Sequence, residues 1–84
     1  MLKDAYPNPF NPVTKITYFI PETQHVQLAI YDVAGRLVDV LVNQTVESGE
    51  HTLEWHADGV ASGVYFTRMT VGNDTQVKRL TVLK

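Results

Sequence analysis

A small antiparallel β-sandwich of six to seven strands, with no helix, is the fold class that three features of the sequence predict. The composition is rich in strand formers: 12 Val, 3 Ile, 9 Thr and 8 aromatics make up 32 of the 84 residues. Apolar and polar residues alternate with period two in one segment after another, whereas no apolar stripe of helical spacing persists for about ten residues. Gly, Pro, Asn and Asp punctuate the segments as turn formers. The length allows a single domain, because two cores in 84 residues would each enclose too little interior to offset chain entropy.

The elements follow in order. Pro7, Pro9 and Pro12, interleaved with Asn8, Phe10 and Asn11, hold residues 1–13 as a Pro-rich extended lead-in, since each proline fixes its own φ and keeps the preceding residue out of the helical region. The sandwich is expected over residues 14–84. Its first strand sets Ile16, Tyr18 and Ile20 against Lys15 and Thr17 and stops at Pro21. Its second sets Val26, Leu28 and Ile30 against His25, Gln27 and Ala29. After a turn at Ala34-Gly35, a third strand over 36–42 is apolar on both faces, which implies cover on both sides or a bulge. Residues 43–50 read as a polar connection with a short strand around Val46. Leu53 and Trp55 mark the next strand, and Val64 to Val71 another, with Tyr65, Met69 and Val71 on one face and Phe66, Arg68 and Thr70 on the other. A turn at Gly72-Asn73-Asp74 then leads into a last strand, Lys78, Leu80 and Val82 alternating with Val77, Arg79 and Thr81. Trp55, Tyr65 and the aliphatic set supply the expected core.

Composition also excludes function classes. Seven Lys plus Arg against nine Asp plus Glu leave a net charge of −2, the wrong sign for a nonspecific nucleic-acid binder. Without Cys there is no disulfide, thiolate nucleophile or Cys-ligated metal. No apolar run approaches the ~18 residues of a membrane helix, and no basic-then-apolar leader opens the chain, so neither direct membrane insertion nor a signal peptide is expected. Ser48 and Ser62, the only serines, read as turn residues outside any nucleophile-elbow pattern. His51 and His56 fall on opposite faces of one strand, and His25 on a polar face, so no metal site is expected. The carboxylates are single and scattered, and neither glycine-rich phosphate loop occurs. The residues therefore point to a non-catalytic domain without a cofactor, acting through its surface. Asn43-Gln44-Thr45 and Asn73-Asp74-Thr75 fit the N-x-[ST] pattern, and Tyr6, Phe10, Phe19, Tyr31 and Phe66 are aromatics without a secure core face.

Three motifs carry a resemblance. Tyr6-Pro7-Asn8-Pro9-Phe10-Asn11-Pro12 leads into the first strand, and Ile30-Tyr31-Asp32-Val33-Ala34-Gly35-Arg36-Leu37-Val38 spans a turn. Ser62-Gly63-Val64-Tyr65-Phe66 precedes the basic end Lys78-Arg79-Leu80-Thr81-Val82-Leu83-Lys84. In this order and spacing the chain resembles the type A C-terminal sorting domains of proteins exported by the type IX secretion system of Bacteroidetes. The resemblance implies an immunoglobulin-like fold and a role as an address carried by N-terminal cargo domains. The implied partners are the outer-membrane machinery and a sortase-like protease that joins the cargo to anionic lipopolysaccharide. The implied route is transit through the periplasm, then the cell surface or the extracellular space. The recognition residues it implies are Pro7, Asn8, Pro9, Phe10, Gly35, Arg36, Gly63, Tyr65, Lys78, Arg79 and Lys84.

Each of these has a plainer reading beside it. The prolines can hold the domain at a fixed offset from its cargo, Gly35 can serve only its turn, and Tyr65 can serve packing. Lys78, Arg79 and Lys84 offer charge to a receptor or keep an edge strand from aggregating, and that edge is also a route to a homodimer. Two alternatives to sorting share features with the chain. The immunoglobulin-like domain of flagellar hook-capping proteins, an assembly scaffold, has a similar Asn-Pro-Phe-Asn-Pro segment and Tyr-Asp-x-x-Gly-Arg turn. A carbohydrate-binding accessory module would use the unassigned aromatics.

Overall fold

A computed structural model describes residues 1–9 and 12–83. Phe10, Asn11 and Lys84 lie outside the described residues. Six strands form two antiparallel sheets, and the described residues contain no helix: β1 (Val13–Ile20), β2 (Gln24–Asp32), β3 (Leu37–Val46), β4 (Gly49–His56), β5 (Gly63–Val71) and β6 (Asp74–Val82). β1 pairs with β4, and the larger sheet runs β3-β2-β5-β6.

The period-two faces meet between the sheets. Ile16, Tyr18 and Ile20 from β1 and Trp55 from β4 lie in one buried cluster with Val26, Leu28 and Ile30 of β2, Tyr65 and Met69 of β5, and Leu80 and Val82 of β6. Val26, Leu28, Ile30, Leu80 and Val82 are fully buried, each gaining about 1.5–3 kcal/mol from leaving water. Trp55 packs edge-on to Tyr65 with ring centroids 6.0 Å apart and donates its indole N–H to Asp39 at 3.1 Å. An indole in a core has its polar edge satisfied in this way, at the rim where β3 is exposed.

The ambiguous third strand resolves through bulges. The β2–β3 register shifts between Leu28 and Ala29 and again between Ile30 and Tyr31, so β3 carries Leu41 and Val38 as extra residues. Each extra residue breaks the alternation, which lets Val38 and Leu41 pack against the core while Leu37 and Val40 stay exposed. β3 also runs past the expected end at residue 42. The polar residues Asn43, Gln44 and Thr45 pair with Gln27, Val26 and His25, and only Glu47 and Ser48 remain as the turn into β4. The polarity of 43–45 marks an exposed edge strand instead of a connection.

The chain also joins the sandwich before residue 14. Leu2 bridges Tyr18 and Tyr6 bridges Lys15, both antiparallel. Lys3 N–H donates to the Thr17 carbonyl at 2.9 Å, and Tyr6 and Lys15 exchange bonds at 3.0 and 2.9 Å. Three residues from Lys3 to Tyr6 span two on β1, a bulge that leaves Leu2 and Ala5 both buried. Residues 1–6 thus form a third ribbon beside β1, where a lead-in was expected. Truncating Trp55, only 3% exposed, to Ala is expected to cost about 3–5 kcal/mol, read as a fall in the urea midpoint at unchanged slope.

Candidate recognition site

The three motifs, far apart in sequence, gather at one end of the sandwich. Val13 pairs with His56, Asp32 with Tyr65 and Gly63 with Val82, so Pro7 to Pro9 and Pro12, the 33–36 turn, the 57–62 loop and the end of β6 share that end. The turns at 21–23, 47–48 and 72–73 lie at the other, together with Met1, whose ammonium donates to the Phe19 carbonyl.

Asn8 is the joint of the first motif. Its side-chain amide donates to the Arg79 carbonyl and accepts from the Thr81 N–H, both at 2.9 Å. The amide therefore pairs with the outer edge of β6 as a neighbouring peptide unit would, capping two backbone groups that an edge strand otherwise leaves to water. The Pro7 carbonyl accepts from the buried Thr14 hydroxyl at 2.7 Å, and the Pro12 carbonyl from Ala57 N–H at 2.8 Å. Tyr6-Pro7 and Asn8-Pro9 are cis peptides. Pro7 and Pro9 are exposed; Phe10 falls outside the described residues.

The second motif is an Asp-anchored turn. Asp32 Oδ1 accepts from the N–H groups of Ala34 and Arg36 at 2.9 Å, and Asp32 Oδ2 takes the Arg36 Nε at 3.0 Å. Gly35 sits at φ 82°, the left-handed region that favours glycine, and its N–H donates to the Asp32 carbonyl at 3.0 Å. Arg36 keeps 81% of its side chain exposed while Asp32 orients it. Backbone donation from Arg36 and Ala34, with the guanidinium, holds the Asp32 carboxyl below its ordinary range.

In the third motif, Gly63 opens β5 in the positive-φ region at 148°, and Tyr65 is buried. The Tyr65 hydroxyl donates to the Ala61 carbonyl at 2.8 Å, a tyrosine corner of the kind immunoglobulin-like sandwiches carry. Lys78 is half-buried and lies 3.3 Å from Asp4, whereas Arg79 is exposed. Lys84 is outside the described residues. The end therefore brings together Pro7, Asn8, Pro9, Gly35, Arg36 and Gly63, leaves Tyr65 inside, and sets Lys78 and Arg79 along β6.

Sequence reasoning missed Asp32 as the organiser of its turn, although an Asp four residues before Arg and three before Gly is a readable sign. It also missed the partners of the N-terminal ribbon. Gln76 Oε1 accepts from the Leu2 N–H at 2.6 Å, so Gln76, Lys78, Arg79 and Thr81 bind the first eight residues to β6. Among the described residues no three His, Asp or Glu side chains gather as a metal site.

Comparison with known proteins adds three findings. A family model described as secretion system C-terminal sorting domain matches residues 4–83. A solved structure of PorZ, an essential bacterial surface component of the type-IX secretion system of Porphyromonas gingivalis, superposes with a TM-score of 0.67 at 24% identity. The superposition covers 99% of this chain and 11% of the PorZ chain, so it shows a shared fold, and this chain spans about a tenth of PorZ. No curated protein matches.

Two predictions follow from the geometry. Asn8→Ala is expected to lower stability by about 1–2 kcal/mol in urea unfolding, through loss of two hydrogen bonds. A carboxyl held below its ordinary pKa adds stability that is full above the unfolded value of about 3.9 and is lost as pH falls through the lower folded value. Asp32→Asn is accordingly expected to flatten the decline in thermal midpoint below about pH 4 relative to the parent domain.

Proposed function

The chain belongs to the secretion system C-terminal sorting domain family, and from that premise we propose how its geometry serves the role. The role is that of a sorting signal for type IX secretion: the domain interacts with the secretion machinery, is attached to a cargo, and is bound for the cell surface or the extracellular space. The mechanism we infer is non-catalytic and rests on polarity. A cargo joined upstream of Met1 lies at one end of a body 37 Å long, and the motif-bearing end points away from it.

The single observation that carries this reading is the convergence of Pro7-Asn8-Pro9, Gly35-Arg36 and the end of β6 at the end opposite Met1. The machinery engages the folded domain after its passage to the periplasm, with the cargo held clear of the contact. Exposed Arg36 and Arg79 meet a receptor, whereas Asn8, Gly35, Gly63 and Tyr65 set the shape that displays them. Residues 1–6 pair with β1, so the prolines belong to the recognition end and do not space the domain from its cargo. A sortase-like protease would find its site upstream of this ribbon, in the stretch that leads to the cargo.

The test is a periplasmic reporter fused ahead of residues 1–84 in a bacterium with type IX secretion, beside a second fusion that ends at Thr75. The second fusion lacks β6 from Gln76 onward and with it the fully buried Leu80 and Val82. Surface display of the first fusion alone is expected. Display of both, or of neither, overturns the reading.

A further inference from the structure

The outer faces of the two sheets differ in chemistry. The face of β1 and β4 carries Lys15, Thr17, Glu50, Thr52, Glu54 and His56 around one exposed aromatic, Phe19, with Lys3 paired to Glu50 at 2.8 Å: a surface of mixed sign. The outward row of the larger sheet has another character. Alternation about the buried Val26, Leu28, Thr67, Met69 and Leu80 turns Gln27, Ala29 and Tyr31, then Phe66, Arg68 and Thr70, then Val77 and Arg79 outward, joined by Leu37, Val40 and Asn43 of β3. Among the described residues this face holds no carboxylate and two arginines, in a chain whose net charge is −2.

Its relief is concave. Ala29, the smallest of these side chains, is 8% exposed and lies in register between Val40 and Arg68. It makes the floor of a groove of about 340 Å³ walled by Tyr31, Leu37, Val40, Asn43 and Arg68. The Arg68 guanidinium lies 5.8 Å from the Tyr31 ring centroid, an arrangement that holds its donors in place. Leu37 and Val40 on the wall of the groove, and Val77 in register with Arg68 on the neighbouring strand, are each more than half exposed. Arginine, tyrosine and aliphatic side chains without Asp or Glu are the composition of a protein-docking core.

We infer that the outer face of the β3-β2-β5-β6 sheet docks on a protein surface bearing carboxylates, which Arg68 and Arg79 pair with while the groove over Ala29 takes an apolar side chain. The inference deepens the sorting role and rests on it. Two arguments select this occupant. Two copies face to face would set arginine against arginine with no carboxylate between them, which disfavours a homodimer. The face, four strands about 4.8 Å apart and nine residues long, has a footprint of roughly 500 Å² in the plane of the sheet, room for a short-lived contact with machinery that must release its client.

The experiment uses the same reporter fusion. A photoreactive phenylalanine analogue replaces Val77 or Val40, or Thr52 on the other face, and cells are irradiated during export. The expected result is a protein adduct from positions 77 and 40 but not from 52, with the crosslinked peptide of the partner flanked by Asp or Glu. Arg68→Glu with Arg79→Glu is expected to reduce both adduct and surface display at least about tenfold, and Lys15→Glu less than about twofold. Circular dichroism of the purified variants confirms folding, and where the double variant fails to fold, Arg68→Gln with Arg79→Gln replaces it. A lipid or polysaccharide adduct, a homodimer adduct, or full display of the charge-reversed fusion overturns the inference. Failure of the unaltered fusion to reach the surface overturns the sorting role itself, so the two failures are distinct.

Discussion

Among the described residues the two sheets share no hydrogen-bonded strand, and what closes the seam between them on one side is the strap formed by the first eight residues. On one edge the strap pairs with β1 through Leu2, Lys3 and Tyr6. On the other it reaches β6 through Gln76, Lys78, Arg79 and Thr81. A core of this size supplies only a narrow margin over chain entropy, so a segment that ties both layers without adding a strand between them weighs heavily in the balance. The strap also answers the edge problem. The Asn8 amide occupies the β6 backbone where another strand would pair, so the sheet ends there on a side chain of the same chain.

The strap fixes the direction of the domain as well. Because it runs antiparallel to β1, the chain starts at the end where β1 finishes and turns at the prolines before re-entering as β1. That reversal carries Pro7, Asn8, Pro9 and Pro12 to the end where β2 and β3 turn and where β6 finishes. A motif read linearly as a leader becomes, after one reversal, part of the same surface as two motifs found 20 and more residues later. Polarity of this kind suits an address, which needs one end for the thing carried and another for the reader.

How much of this was legible in the sequence differs by element. β2 and β5 were plain, because both bury one face and expose the other, and period two is the direct trace of that asymmetry. β3 was legible as a strand but not in extent. Edge position exposes Asn43, Gln44 and Thr45, and polar residues on an exposed edge look like a loop when only the pattern is available. Residues 1–6 were not legible as a ribbon, since the bulge between Lys3 and Tyr6 buries Leu2 and Ala5 at a spacing of three, which breaks the period-two trace of a strand. At the end that gathers the motifs the residues were nameable, through their resemblance to a sorting family, while their division of labour was not. Whether Asn8 points at solvent or at the β6 backbone depends on a contact 71 residues away.

That division of labour bears on what such motifs encode. Asn8 spends its amide on the Arg79 and Thr81 backbone, Asp32 most of its carboxylate on the Ala34 and Arg36 backbone, and Tyr65 its hydroxyl on the Ala61 carbonyl. Gly35 and Gly63 supply backbone geometry and no side chain. Side chains committed to their own backbone have little left to offer a partner, and a receptor that read them directly would have to break the bonds that hold the turn. The motif residues therefore act as a frame, fixing where the strands end and which groups face out. The exposed groups the frame positions are the ones we propose for recognition: Arg36, oriented by Asp32 yet open to solvent, Arg79 beside the Asn8 joint, and the carboxylate-free face that begins at Tyr31, one residue before the turn's anchor. A frame encoded in short motifs and an outward face encoded by alternation are two different signals in one sequence, and the first is what makes the family resemblance visible.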